Sequence, residues 1–228
     1  MARFVADWFE AREDQKYSIL LSSLVLLVVL NPLINDRELG RYVWDFFLLY
    51  TLLAAVYVVR KKQRQFLLVL LIASSALVTN SLVHLGDSEI IPLIAFSFDV
   101  LFFGFMAVSI LNEILSSDSI TTDRLCGAVC VYFLIGVCWS FIYLIIEWCI
   151  PNSFSVPLDL VNLDDRESFK TIQYYSFVTL TTLGFGDIIP LSSEARTFSW
   201  LEAITGQLYL AVLIGRLIGL HISSGLRK

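Results

Sequence analysis

The polar and apolar positions of this chain sort into long apolar runs separated by short polar breaks. A bilayer core about 30 Å thick takes about 20 apolar residues in helical form to cross. Runs of that kind fall at 17–34, 42–59, 65–85, 90–111, 125–150 and 196–222, and each predicts a membrane-spanning helix. The breaks are local: Asn31-Pro32 with Asn35-Asp36-Arg37-Glu38, then Arg60-Lys61-Lys62-Gln63-Arg64, then Gly86-Asp87-Ser88-Glu89, then 116–124. A further segment, 169–181, reads as a helix of about 13 residues, too short at about 1.5 Å per residue to cross. It lies in the stretch 151–195, between the fifth and sixth runs, so it must enter and leave from one side. Irregular backbone at membrane depth is tolerated only where protein buries it or where it lines water.

Composition agrees with a lipid-solvated chain. Charged residues make up 16% and hydrophobic residues 57%, whereas a soluble domain carries about 25% charge. The net charge of −5, with no extended basic stripe, excludes a nucleic-acid binder. Residues 1–16 are mixed in charge and the first run has no small-residue cleavage site, so a retained anchor is expected rather than a signal peptide. With Phe4, Val5, Trp8 and Phe9 near helical spacing, 1–16 fits either an amphipathic interfacial helix or a plain lead-in to the first span. The basic residues, above all the cluster at 60–64, place both termini in the cytoplasm of a plasma or bacterial inner membrane. Cys126, Cys130, Cys138 and Cys149 share one run without a CxxC pair; they read as packing, and neither a structural metal nor a cofactor is expected.

The chemistry concentrates in Thr182-Leu183-Gly184-Phe185-Gly186-Asp187. Two glycines one residue apart open left-handed backbone angles, and alternating such angles turns successive carbonyls to one side. A ring of those carbonyls can replace the hydration shell of a bare monovalent cation. One chain supplies one such loop, so a closed ring needs several copies in cyclic symmetry.

The run Thr181 to Asp187 resembles the signature of tetrameric potassium channels: threonine, threonine, aliphatic, glycine, aromatic, glycine, aspartate. Tyr174-Tyr175 occupies the place of that family's paired pore-helix aromatics, and Thr179 that of its pore-helix threonine. The resemblance implies ion sites at Thr182, Leu183, Gly184, Phe185 and Gly186, with K+ as the permeant ion. It implies supporting roles for Tyr174, Tyr175, Thr179 and Thr181, with Asp187 at the outer mouth. Phe185 departs from the commoner tyrosine, and Val178 stands where some relatives carry a buried glutamate. Both departures imply a filter held more by packing than by hydrogen bonds. Residues 201–210 resemble the family's pore-lining helix. Gly206 falls where a hinge glycine lies and reads equally as a packing site; Gly215 and Gly219 offer further flexible or close-packing points. Gln207 is a candidate for facing the cavity.

The implied architecture is an all-α membrane protein: six transmembrane helices, a re-entrant pore helix and selectivity-filter loop, assembled as a homotetramer. Its parts are an amphipathic segment 1–16, a four-helix domain 17–123 resembling a voltage sensor, and a pore domain 124–228. A voltage sensor needs several basic residues along its fourth helix. The run 90–111 has none, and its one ionisable residue is Asp99, so conventional voltage gating is not expected. Asp45 and Asp99 read either as a proton or cation sensor or as hydrogen-bonded acids. His84 and Glu147 lie near outer helix ends, where Glu147 supports the rim of the pore. Residues 112–124 connect the two domains, and the chain's end at Arg227-Lys228 leaves no room for a cytosolic sensing domain. Two alternatives stay open, a weakly selective monovalent cation channel and a subunit of a potassium uptake transporter. Those transporters pack four degenerate pore loops into one chain, against one complete loop here. No HExxH, no GxSxG and no paired catalytic histidines occur, so an enzyme is not expected.

Overall fold

The structure, a computed structural model, describes residues 15–34, 68–75, 90–116, 121–156 and 165–225, with positions 46, 49–51, 53–55, 57 and 58. Five helices carry the described fold: α1 (Lys16–Leu33), α2 (Ile90–Leu115), α3 (Thr122–Cys149), α4 (Asp165–Leu180) and α5 (Ser193–Gly225). Among the described residues α2, α3 and the first 24 residues of α5 are long and apolar enough to cross a membrane, and α1 contains a shorter apolar helix. The described residues hold no β-strand, only the isolated bridge between Phe154 and Pro190. The segment 1–14, Asp45, His84, the basic cluster and most of the second and third expected spans lie outside the described residues.

Two helices pass an expected bound by a full turn. α2 runs to Leu115 rather than 111, through Asn112 and Glu113, and α4 begins at Asp165 rather than 169. Hydrophobic periodicity marks only the apolar part of a helix, whereas polar ends continue it without such a signal. At 16 residues α4 is about 24 Å long, still short of a crossing.

The chain divides into two compact units, Met1–Leu71 with Met106–Phe133, and Ile72–Phe105 with Leu134–Lys228. In the first, the start of α3 caps the start of α1. Asp123 Oδ1 accepts the backbone N–H groups of Tyr17 and Ser18, each at 3.0 Å, and these are donors that a helix start leaves unsatisfied. Lys16 pairs with Glu113 at the end of α2. Gly127 lies so close under the Tyr17 ring that a Cβ there would sit 3.0 Å from it, and Tyr17 is fully buried.

The second unit is built on aromatic contacts. Phe141 of α3 stacks on Phe103 at 5.7 Å and meets Phe169 of α4 at 5.0 Å. Tyr143, Phe154 and Tyr175 form an edge-to-face triangle with centroids 5.1–5.6 Å apart, the geometry that ring quadrupoles favour. The start of α5 is capped by Ser192 Oγ, which accepts the Ala195 N–H at 3.1 Å, with Glu194 in the first turn. All four cysteines are free.

Candidate functional site

The site is the stretch that joins α4 to α5. α4 closes in a Schellman motif: Leu183 N–H donates to Val178 O at 2.9 Å and Thr182 N–H to Thr179 O at 2.9 Å. The motif needs a left-handed residue just past the helix, a place usually taken by glycine. Here Thr182 holds it at φ 56°. A β-branched residue in that region is an outlier costing about 1–2 kcal/mol, so the surrounding contacts must hold it there. Gln207 of α5 supplies one, its Nε2 donating to Thr182 Oγ at 3.1 Å.

Beyond Thr182 the handedness alternates. Gly184 has φ 59° and Gly186 φ 79°, whereas Leu183 and Phe185 between them are not left-handed. The pair of glycines is expected from the sequence to be left-handed, and with Thr182 three residues at every second position are so. Every residue from Thr181 to Asp187 is exposed in the single chain. Leu183 and Phe185 are 58% and 65% exposed. A run of glycines and bare apolar side chains extending from a buried helix is unfinished as a surface, and it fits cover by further protein.

The outer end carries a side-chain hydrogen bond, where the sequence implied a filter held more by packing than by hydrogen bonds. Phe185 does lack a hydroxyl, yet Tyr174 Oη donates to Asp187 Oδ2 at 2.7 Å. That bond holds the Asp187 carboxyl below the usual carboxylate range and raises the Tyr174 phenol above its own. Tyr175, buried, reaches Ser199 Oγ on α5 at 2.5 Å. Val178 is buried, and Thr181 Oγ1 bonds back to Phe177 O at 2.7 Å.

Glu147 reaches the same end of the site by another route. Its Oε1 accepts Asn152 N–H at 2.8 Å and its Oε2 accepts Ser153 N–H at 2.9 Å. These bonds close the tight turn after α3, where Asn152 is left-handed at φ 66°. The turn is in turn stitched to the segment after Asp187: Leu191 N–H donates to Ser153 O at 2.7 Å and Ser155 N–H to Ile189 O at 3.0 Å.

Gly206 lies where α5 passes the end of α4. A Cβ built there would be 2.2 Å from Leu180 O, closer than any real contact. Gly215 has nothing within 4 Å of such an atom. Asp99 lies buried on α2, within the second unit and apart in sequence from the filter loop.

Sequence reasoning assigned nothing to Glu202, Tyr143, Ser176 and Gly136, which the structure brings together behind α4. Glu202 is fully buried; its Oε2 lies 2.5 Å from Tyr143 Oη and its Oε1 2.5 Å from Ser176 Oγ. Ser176 Oγ also lies 2.8 Å from Gly136 O, and a Cβ on Gly136 would meet the Phe177 ring at 2.8 Å. The available signal was Glu202 itself, a lone carboxylate one turn before Gly206 in an apolar run.

Residues 128–220 match a family model described as an ion channel. Part of the chain is 37% identical over 62 residues to the voltage-gated potassium channel Kch of Escherichia coli (strain K12). The match covers 27% of this chain and 15% of that protein. No solved structure matches. Both matches are to ion channels and not to enzymes, and the matched residues include two of the helices long and apolar enough to cross a membrane.

Proposed function

We propose that the chain is one subunit of a tetrameric, potassium-selective channel that passes K+ down its electrochemical gradient through a filter of main-chain oxygens. The observation that carries this reading is the alternation of left-handed angles at Thr182, Gly184 and Gly186, on a loop that follows a helix too short to cross. Alternation of this kind directs consecutive carbonyls toward one axis, where they take the place of water around a dehydrated cation. Thr182 through Gly186 are the ion-binding residues in this reading. Tyr174, Tyr175, Thr179, Thr181, Asp187 and Glu147 hold the filter and its outer mouth.

The same geometry supports a homotetramer, because one loop offers only one wall of a ring. The exposed apolar side chains of Leu183 and Phe185, and of Ile204, Leu208 and Val212 along α5, support further copies as their cover. Six spans, cytoplasmic termini, and the division into 17–123 and 124–228 belong to this proposal. So does gating without a basic sensor helix, since α2 carries no Arg or Lys. Gly206 and Gly215 are its candidate gate hinges, with Asp45 and Asp99 as candidate sensors.

The test is purified protein in planar bilayers between potassium on one side and sodium on the other, with voltage varied. The expected reversal potential lies close to the potassium equilibrium value. A reversal near zero would make the protein a weakly selective cation channel. A steep rise of current with voltage would restore a voltage sensor.

A further inference from the structure

Glu202, Ser176, Tyr143 and the Gly136 carbonyl form a run of oxygens, met at its ends by Ser199 on Tyr143 and Ser140 on Gly136, whose inner hydrogens can be counted. Three contacts join them: Tyr143 Oη to Glu202 Oε2, Glu202 Oε1 to Ser176 Oγ, and Ser176 Oγ to Gly136 O. Tyr143 and Ser176 bring one hydroxyl hydrogen each, and a backbone carbonyl brings none. With an ionised carboxylate, two hydrogens must serve three contacts. If Ser176 then donates to Glu202, its oxygen faces the Gly136 oxygen at 2.8 Å with no hydrogen between them. If it donates to Gly136, the same repulsion falls on the contact with Glu202. One more hydrogen, on Glu202 Oε1, satisfies all three in a single direction.

The surroundings agree. Glu202, Ser176 and Tyr143 are all fully buried within one chain, so no second copy is needed to exclude water from them. Among the described residues no Lys, Arg or His is bonded to Glu202. The ionisable side chains facing it are Tyr143 and Cys138 from α3 and Tyr175 from α4, and none of them can carry a positive charge. A buried charge without a cationic partner is disfavoured.

We propose that Glu202 is held as a neutral carboxylic acid, and that its proton completes a hydrogen-bond chain from Tyr143 through Ser176 to Gly136. This chain fixes α4, and with it the filter, against α3 and α5. Glu202 is thus a positioning residue: it touches no permeating ion and acts through Ser176, eight residues before Gly184. Deprotonation turns the Ser176 hydroxyl from the Gly136 carbonyl toward Glu202, and so removes the direct bond from the pore helix to α3. The protonation state stands on hydrogen counting alone, whereas the consequence for permeation rests on the channel reading above.

Two measurements on the full chain test the two parts. The infrared difference spectrum between wild type and Glu202→Gln at neutral pH is expected to show a carboxylic-acid carbonyl band. A carboxylate stretch in its place overturns the proposal whether or not the protein conducts. In bilayers, Glu202→Gln can donate to Ser176 and accept from Tyr143, so it is expected to keep wild-type open probability and selectivity. Its currents are also expected to stay constant as the bath is made alkaline, while those of the wild type decline. Glu202→Ala is expected to lose most of the current or the assembly. If Glu202→Gln is as defective as Glu202→Ala, the charge is required and the idea fails. It fails equally if Glu202→Ala behaves as wild type. A wild type that passes no potassium refutes the channel reading and leaves the infrared result to decide the protonation.

Discussion

The carbonyl oxygen of Leu180 and the α-carbon of Gly206 approach so closely that no side chain fits between them; a Cβ would stand 2.2 Å from the oxygen. Leu180 is the last residue of α4 and is fully buried. The glycine therefore sets how near α5 runs to the end of α4. Gly206→Ala must push the two backbones apart, and overpacking of this kind costs about 1–3 kcal/mol. We expect a lower melting temperature and partial loss of the assembled form on size exclusion. Gly215→Ala meets nothing within 4 Å and should gain about 1 kcal/mol of helix propensity. An unaltered melt for Gly206→Ala would show that the contact is not rigid.

Tyr174 and Asp187 give the loop after α4 a defined response to acid. The phenol's hydrogen bond is the chief cause that lowers the Asp187 carboxyl. A carboxylate lowered in this way contributes above its unperturbed value, about 3.9, and loses that contribution as pH falls through the lowered one. The tether is thus expected to be constant across neutral and mildly acidic pH and to fail only below the ordinary aspartate range. Tyr174→Phe removes the donor, so Asp187 should titrate at a higher pH. External acid should then reduce the current at a higher pH in Tyr174→Phe than in the wild type. Coincident titration curves would show that the bond does not operate in the assembled channel.

Local pattern made the helices and the alternating backbone of the loop after α4 legible, and tertiary proximity hid the rest. The apolar runs gave α2, α3 and α5 within a few residues because burial in lipid demands apolar length. Gly184 and Gly186, at every second position, announced the alternation of backbone hand. Thr182 did not, since its left-handed angle comes from the Schellman closure of α4 and is foreign to threonine's own preference. Glu147 reads as a rim residue, and the turn it closes depends on a backbone reversal no pattern specifies. Asp123 capping α1 joins positions more than a hundred residues apart. The bond from Tyr174 to Asp187 joins positions 13 residues apart across a loop whose path no local pattern specifies.

Glu147→Gln should test whether the outer turn supports the filter. Both carboxylate oxygens accept backbone N–H groups, and an amide can offer only one acceptor while turning its NH2 toward the other donor. Hydrogen bonds to charged groups are worth about 1.5–3 kcal/mol, and the loss falls on a turn stitched to residues 189 and 191. We expect faster proteolytic nicking at 150–156 and shortened channel openings. Intact openings beside a nicked turn would separate the rim from the filter.

The bond from Gln207 to Thr182 sits where the filter begins, and both side chains are exposed in the single chain. In the tetrameric reading this exposure is the inner cavity, so the bond is made within reach of the entering ion. An exposed substitution away from packing changes stability by about 0.5 kcal/mol or less, and Gln207→Leu should therefore leave the melt unchanged. It should nevertheless free the Thr182 hydroxyl from a fixed orientation. One such bond is worth about 0.5–1.5 kcal/mol, which corresponds to about a two- to tenfold change in the affinity for K+ at the inner end of the filter. Gln207→Asn, one methylene shorter, should behave as Gln207→Leu if reach matters and as the wild type if polarity alone matters. The measurement is unitary conductance against internal K+ concentration. Curves for Gln207→Leu that overlay the wild type would mean that Thr182 is held by its backbone alone, through the two hydrogen bonds that close α4.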